Sequence, residues 1–126
     1  GLCYAKEIRF IGFVPDERMP ALYSAADVFA FPTLYEGFGI PVLEAQTCGT
    51  PVLTSDCTAL PEVGGAGALY ADPYNVEDIA EKLEQLMAQD TLRTALRDKG
   101  FVNARRFSWE ASARQLDEWI ERNVTE

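Results

Sequence analysis

Asp27-Val28-Phe29-Ala30-Phe31 is a compact apolar run stopped by Pro32, and a helix pattern opens eight residues later at Ile40, with Pro41 in its first turn. Such a run suits a strand buried on both faces of a parallel sheet. The alternation continues on either side. Ile8-Arg9-Phe10-Ile11-Gly12-Phe13 is β-branched and aromatic and ends at Val14-Pro15, so it reads as a strand. Arg18–Ala26 reads as a short helix with Asp16 or Glu17 near its cap and Pro20 in its first turn. Ile40–Cys48 reads as a helix closed by Gly49. Pro51–Thr54 and Ala68–Tyr70 read as two further short strands, with a loop between them. Strands alternating with short helices imply a Rossmann-like α/β fold, a doubly wound parallel sheet that binds ligands at the carboxyl ends of its strands.

The remainder is helical. Asn75 caps a helix with Glu77 and Asp78 in its acidic first turn, and Val76, Ile79, Ala80, Leu83, Leu86 and Met87 repeat at the spacing of one buried face. Asp90 is expected to cap the next helix, with Leu92, Ala95 and Leu96 inward and Gly100 as an interruption or end. Ser108 is expected to cap a last helix, whose stripe of Trp109, Ala113, Leu116 and Ile120 reads as core.

Charge and cysteine usage narrow the chemistry. Twenty acidic against 11 basic residues give a formal charge of -9. That surface repels phosphate backbones at long range and makes nucleic acid a poor partner. Arg105-Arg106 is the one tight basic cluster and reads as a solvated helix end. The chain has no His, which removes Ser-His-Asp and Cys-His catalysis and any Cys/His zinc site. Cys3, Cys48 and Cys57 form no CxxC and read as reduced thiols. No metal site and no cofactor are expected. No apolar run approaches the ~20 residues that span a bilayer, and the first nine residues lack the pattern of a signal peptide. A cytoplasmic location is the expectation.

The informative stretch runs from Phe31 to Ala45. A strand ends at Pro32, and a loop carrying Gly37 and Gly39 leads straight into the helix at Ile40. Glycines let backbone approach a ligand, and a helix start offers unpaired N–H groups and partial positive charge that favour a phosphate. Glu36 stands before the loop and Glu44 about one turn into the helix, where a carboxylate can accept hydrogen bonds from paired sugar hydroxyls. The glycines can equally serve only the turn, and Glu44 only the helix dipole; spacing alone leaves both readings open.

These residues resemble a known family. Seven residues separate Glu36 from Glu44, as in the E-x7-E motif of the family 4 retaining glycosyltransferases of GT-B type, and the intervening Gly-Phe-Gly-Ile-Pro-Val-Leu is similar to theirs. Ala45-Gln46-Thr47-Cys48-Gly49-Thr50-Pro51-Val52, Leu60-Pro61-Glu62-Val63 with Gly64-Gly65, Phe10–Pro15 and Phe107-Ser108-Trp109 resemble further stretches of that family, in the right order over nearly the whole chain.

The resemblance implies that residues 1–126 are part of the nucleotide-sugar-binding, C-terminal domain of a longer retaining hexosyltransferase. Glu36 would be the catalytic-site carboxylate, holding donor-sugar hydroxyls rather than acting as nucleophile. Gly37, Phe38, Gly39 and Ile40 would contact sugar and diphosphate through their backbone, with Val42 and Leu43 near the phosphates. Glu44 would bind the ribose, and Phe13, Val14 and Pro15 would form the base-contacting loop. The donor would be GDP-mannose or a UDP-sugar, with GDP-mannose favoured by the Leu60–Val63 stretch. The acceptor, a glycan or lipid-linked sugar, would bind a separate N-terminal domain, and the parent would be cytoplasmic or peripheral at the inner membrane face.

The family's sheet order also implies a topological conflict. In it, the strand at Ile8–Phe13 and the strand at Phe29 are not neighbours. The piece is therefore expected to expose a sheet edge, rearrange or pair with another chain, and as part of a longer enzyme it is expected to be inactive alone. The alternatives are another GT-B enzyme, such as a phosphorylase or synthase, and a non-catalytic interaction or regulatory domain of doubly wound fold.

Overall fold

The computed structural model describes residues 4–124; Cys3 lies outside them. Along the chain run α1 (Met19–Ala25), β1 (Phe29–Phe31), α2 (Ile40–Thr47), β2 (Val52–Ser55), α3 (Leu60–Gly64), β3 (Ala68–Ala71), α4 (Val76–Ala88), α5 (Asp90–Ala104) and α6 (Trp109–Asn123). The strands pair in the order β1-β2-β3, all parallel, with Phe29 opposite Val52 and Val52 opposite Ala68.

Side chains alternate across the sheet with the strand period of two. Val52 and Ala68 join Tyr23, Val42, Ala45 and Leu60 on one face, where α1, α2 and α3 pack. Leu53 and Ala71 join Leu86 of α4 and Leu96 of α5 on the other. Helices thus cover both faces, as the doubly wound reading requires. Central β2 is buried at all four residues. β1 is not the doubly buried strand expected from its composition. It lies at the sheet edge, pairs with β2 alone, and leaves Ala30 exposed.

Other expectations are corrected as well. No strand forms over Ile8–Phe13: the segment pairs with none of the described strands and lies exposed, Phe10 at 97% and Phe13 at 89%. Its composition favours extended backbone, but a strand exists only where its N–H and C=O groups find a neighbour. The supposed loop at Leu60–Gly64 is a single helical turn with Pro61 in its first turn. The stripe of α6 is not core: none of its residues is buried. On α4 and α5 the expected faces are also too wide, since Val76, Ala80, Met87 and Ala95 are exposed.

Caps follow the sequence more closely. Asn75 accepts from the Asp78 N–H at 3.1 Å and Ser108 from the Ala111 N–H at 3.0 Å. Asp90 is the first residue of α5 rather than its cap, and its carboxylate pairs with Arg93. Gly100 neither interrupts nor ends α5. A Cβ on Gly67 would stand 2.6 Å from the Gly100 Cα, so Gly67 lets the turn touch α5 at its backbone, while a Cβ on Gly100 would crowd Gln46 of α2 at 3.2 Å.

Candidate functional site

The candidate site residues lie in and around the loops that follow β1 and β2, the ends of a parallel sheet at which ligands bind. Side chains at the strand ends stitch these two loops together. Thr54 Oγ1 donates to the Phe31 carbonyl at 3.0 Å, and Ser55 Oγ to the Thr33 carbonyl at 2.6 Å. The Glu36 N–H then donates to Thr58 Oγ1 at 3.4 Å. Thr58 is the one non-glycine described residue with positive φ, at 55°, a cost that surrounding contacts must offset.

The two loop glycines are glycine for different reasons. Gly39 caps α2 at φ 100°, and a Cβ there would meet Leu60 Cδ2 at 2.7 Å. Its identity is set by the fold. Gly37 has ordinary φ and open space around the position of a Cβ, so nothing within the described residues requires glycine. The N–H groups of Gly37, Phe38, Gly39 and Ile40 find no acceptor among the described residues. Val42 N–H bonds the Gly39 carbonyl at 3.0 Å, and the Val42 side chain belongs wholly to the core. Four successive N–H groups without acceptors therefore lead into α2, at the positive end of its dipole.

One turn on, Glu44 lines a cavity of about 620 Å³ together with Val14, Asp16, Met19, Tyr23, Leu43 and Thr47. The structure thus brings Val14 and Glu44 to one cleft, although 30 positions separate them in sequence. Phe13 projects into solvent, and Pro15 opens the turn at Asp16–Arg18, its carbonyl accepting the Arg18 N–H at 2.9 Å. Tyr23 Oη donates to Glu44 Oε2 at 3.0 Å. Burial, then the bond and charge of Glu44, push the Tyr23 hydroxyl up to about 12. Glu36 is half-buried and lines neither this cavity nor the next.

A second cleft of about 370 Å³, mostly apolar, borders the other side of Leu43. Phe38, Ile40, Phe107 and Trp109 line it. Phe38 meets Phe107 edge-on at 5.8 Å, and Arg106 lies 5.1 Å over the Phe107 ring. The glycine loop thereby rests against the chain leading into α6.

Buried between α2, α3 and α5 is a polar knot. Gln46, 1% exposed, donates to the Gly64 carbonyl at 2.9 Å and accepts from Asn103 Nδ2 at 2.8 Å. Asn103 also donates to the Val63 carbonyl at 2.8 Å, and its Oδ1 accepts from Arg106 at 2.8 Å. No described buried side-chain polar atom lacks a partner. The knot ties α2, α3 and α5 at one point. Its only sequence signal was a polar residue, Gln46, at an otherwise apolar helix position. Among the described residues no group of three His, Cys, Asp or Glu side chains is arranged to hold a metal.

The family model for "Glycosyl transferases group 1" matches residues 2–102. The chain is 48% identical over 103 residues to an O-antigen chain mannosyltransferase B of Escherichia coli, covering 82% of this chain and 27% of that protein. It is 39% identical over 116 residues to a D-inositol 3-phosphate glycosyltransferase of Corynebacterium jeikeium, covering 90% of this chain and 28% of that one. A sucrose-phosphate synthase of Thermosynechococcus elongatus superposes on 94% of the chain with a TM-score of 0.83 at 28% identity, using 30% of its own length. The chain spans less than a third of each of these proteins.

Proposed function

Because this chain belongs to the glycosyl transferases group 1 family, we propose that it is the donor-binding part of a retaining mannosyltransferase that uses a nucleoside diphosphate sugar. The observation that carries this reading is the run of unpaired N–H groups from Gly37 to Ile40, one helical turn from a carboxylate in a cleft. A diphosphate at the α2 start would accept from these groups, and the helix dipole would stabilise its charge as the glycosidic C–O bond breaks. Glu44 would accept from the ribose hydroxyls, and the cleft beyond it, bordered by Val14, would take the base. Glu36 would hold the hydroxyls of the transferred sugar. Open space at Gly37 fits a ligand that approaches the backbone closely.

The mannosyl assignment rests on the relative named as an O-antigen chain mannosyltransferase, and GDP-mannose is the preferred donor over UDP-sugars. An acceptor glycan would bind chain beyond this segment, in a parent enzyme of the cytoplasm or its membrane face. The open edge of β1 supports self-association when this segment stands alone.

Isothermal titration with GDP, UDP and GDP-mannose tests the reading. One nucleotide should bind, and Glu44→Ala should weaken it roughly 10- to 100-fold, as expected for losing hydrogen bonds to a charged group. Unaltered affinity for every ligand in Glu36→Gln and Glu44→Gln variants would point instead to a non-catalytic interaction domain.

A further inference from the structure

We propose that Tyr23 is a positioning residue for Glu44, holding one carboxylate oxygen so that the other is presented to a vicinal diol in the cleft. The inference rests on the donor-site reading above. The two partners are held unequally. Tyr23 is 5% exposed, and its ring packs edge-on against Phe29 at 5.2 Å and 86°. Its backbone carbonyl accepts both the Thr50 hydroxyl at 2.6 Å and the Ala26 N–H at 3.0 Å. Thr50 is itself 2% exposed. The phenol is therefore anchored at both ends of the residue by core groups.

Glu44 has no such anchor. Its side chain is exposed, and the Tyr23 hydroxyl is its only hydrogen-bond partner among the described residues. A glutamate with this freedom would have to be immobilised by the ligand itself, at the expense of affinity. With Oε2 taken by Tyr23, Oε1 keeps its lone pairs for hydroxyl donors entering the cleft. The raised Tyr23 hydroxyl stays protonated, and so remains a donor, throughout the neutral range. The tyrosine itself lines the same cleft, so the whole pair is reached from one side.

GDP and 2′,3′-dideoxy-GDP, titrated into the full chain and its variants, separate positioning from packing. Wild-type protein should prefer GDP, and Glu44→Gln should remove most of that preference. Tyr23→Phe keeps the ring and should weaken GDP about tenfold while leaving the dideoxy nucleotide unchanged. In the double variant Tyr23→Phe should add nothing to Glu44→Gln. Equal weakening of both nucleotides by Tyr23→Phe, or additive losses in the double variant, would overturn the inference. Wild-type protein that binds both nucleotides alike, or neither, would remove the ribose assignment of Glu44 and this inference with it, before any variant is made.

Discussion

Helices α4 and α6 are built alike and end up in opposite surroundings. Each starts from a side-chain cap, Asn75 or Ser108, and each carries an apolar stripe at helical spacing. α4 sets Leu86 into the sheet at 0% exposure, with Ile79 and Leu83 packed beside it. α6 shows Trp109 at 82%, Leu116 at 59%, Trp119 at 58% and Ile120 at 41% exposure. Amphipathic spacing thus records that a face is built to be covered; it does not say by what. Among the described residues nothing buries the stripe of α6.

That contrast can be broken by mutation, and the largest effect is expected in the core. Leu86→Ala should cost about 2–5 kcal/mol in denaturant unfolding, whereas Leu116→Ala on α6 should stay within about 0.5 kcal/mol. Comparable losses at both would mean that α6 is packed in solution. α5 supplies an intermediate case through its polar knot. Asn103→Ala leaves Gln46 Oε1 and the Val63 carbonyl without their donor and should cost about 1–3 kcal/mol by the same measurement.

Caps sharpen the comparison further. Asn75→Ala removes the bond to the Asp78 N–H and should lower global stability by about 1 kcal/mol. Ser108→Ala removes the equivalent bond on α6. It should reduce helical ellipticity with little change in the global midpoint, because α6 sets no buried residue into the core.

A further effect is one of pH. Burial first of all raises the Tyr70 hydroxyl to about 12, and Tyr23 is raised to about 12 as well. Both start from about 10 in the unfolded chain. The folded state favours the protonated form, so this stability is fully present below pH 10. It is lost as pH rises through about 12. Urea midpoints should fall across that window, and the fall should flatten in a Tyr23→Phe, Tyr70→Phe double variant. α6 contains no tyrosine and contributes nothing to it.

What could be read from the sequence divides along the same line. β2, β3 and α2 were legible because their signals are local: a β-branched or apolar run, Pro41 in a first turn, Gly49 after a last one. The E-x7-E spacing singles out the loop between β1 and α2 as the candidate site. Ile8–Phe13 misled because strand propensity is local while strand pairing is not. α3 escaped because a single turn is too short for periodicity to register. Tyr23 escaped for another reason. A tyrosine in a short helix looks like core, and its bond to a residue 21 positions away exists only after folding. The same holds for the meeting of Gln46 and Asn103 across 57 positions.

One consequence of the exposed stripe is optical. The chain has two tryptophans, Trp109 and Trp119, and both stand on α6 facing solvent. Its indole emission should therefore be long-wavelength and readily quenched by iodide or acrylamide while the fold is intact, and nearly silent when the sheet melts. Any surface that covers α6 should shift that emission to the blue, which makes the helix a built-in reporter of its own docking.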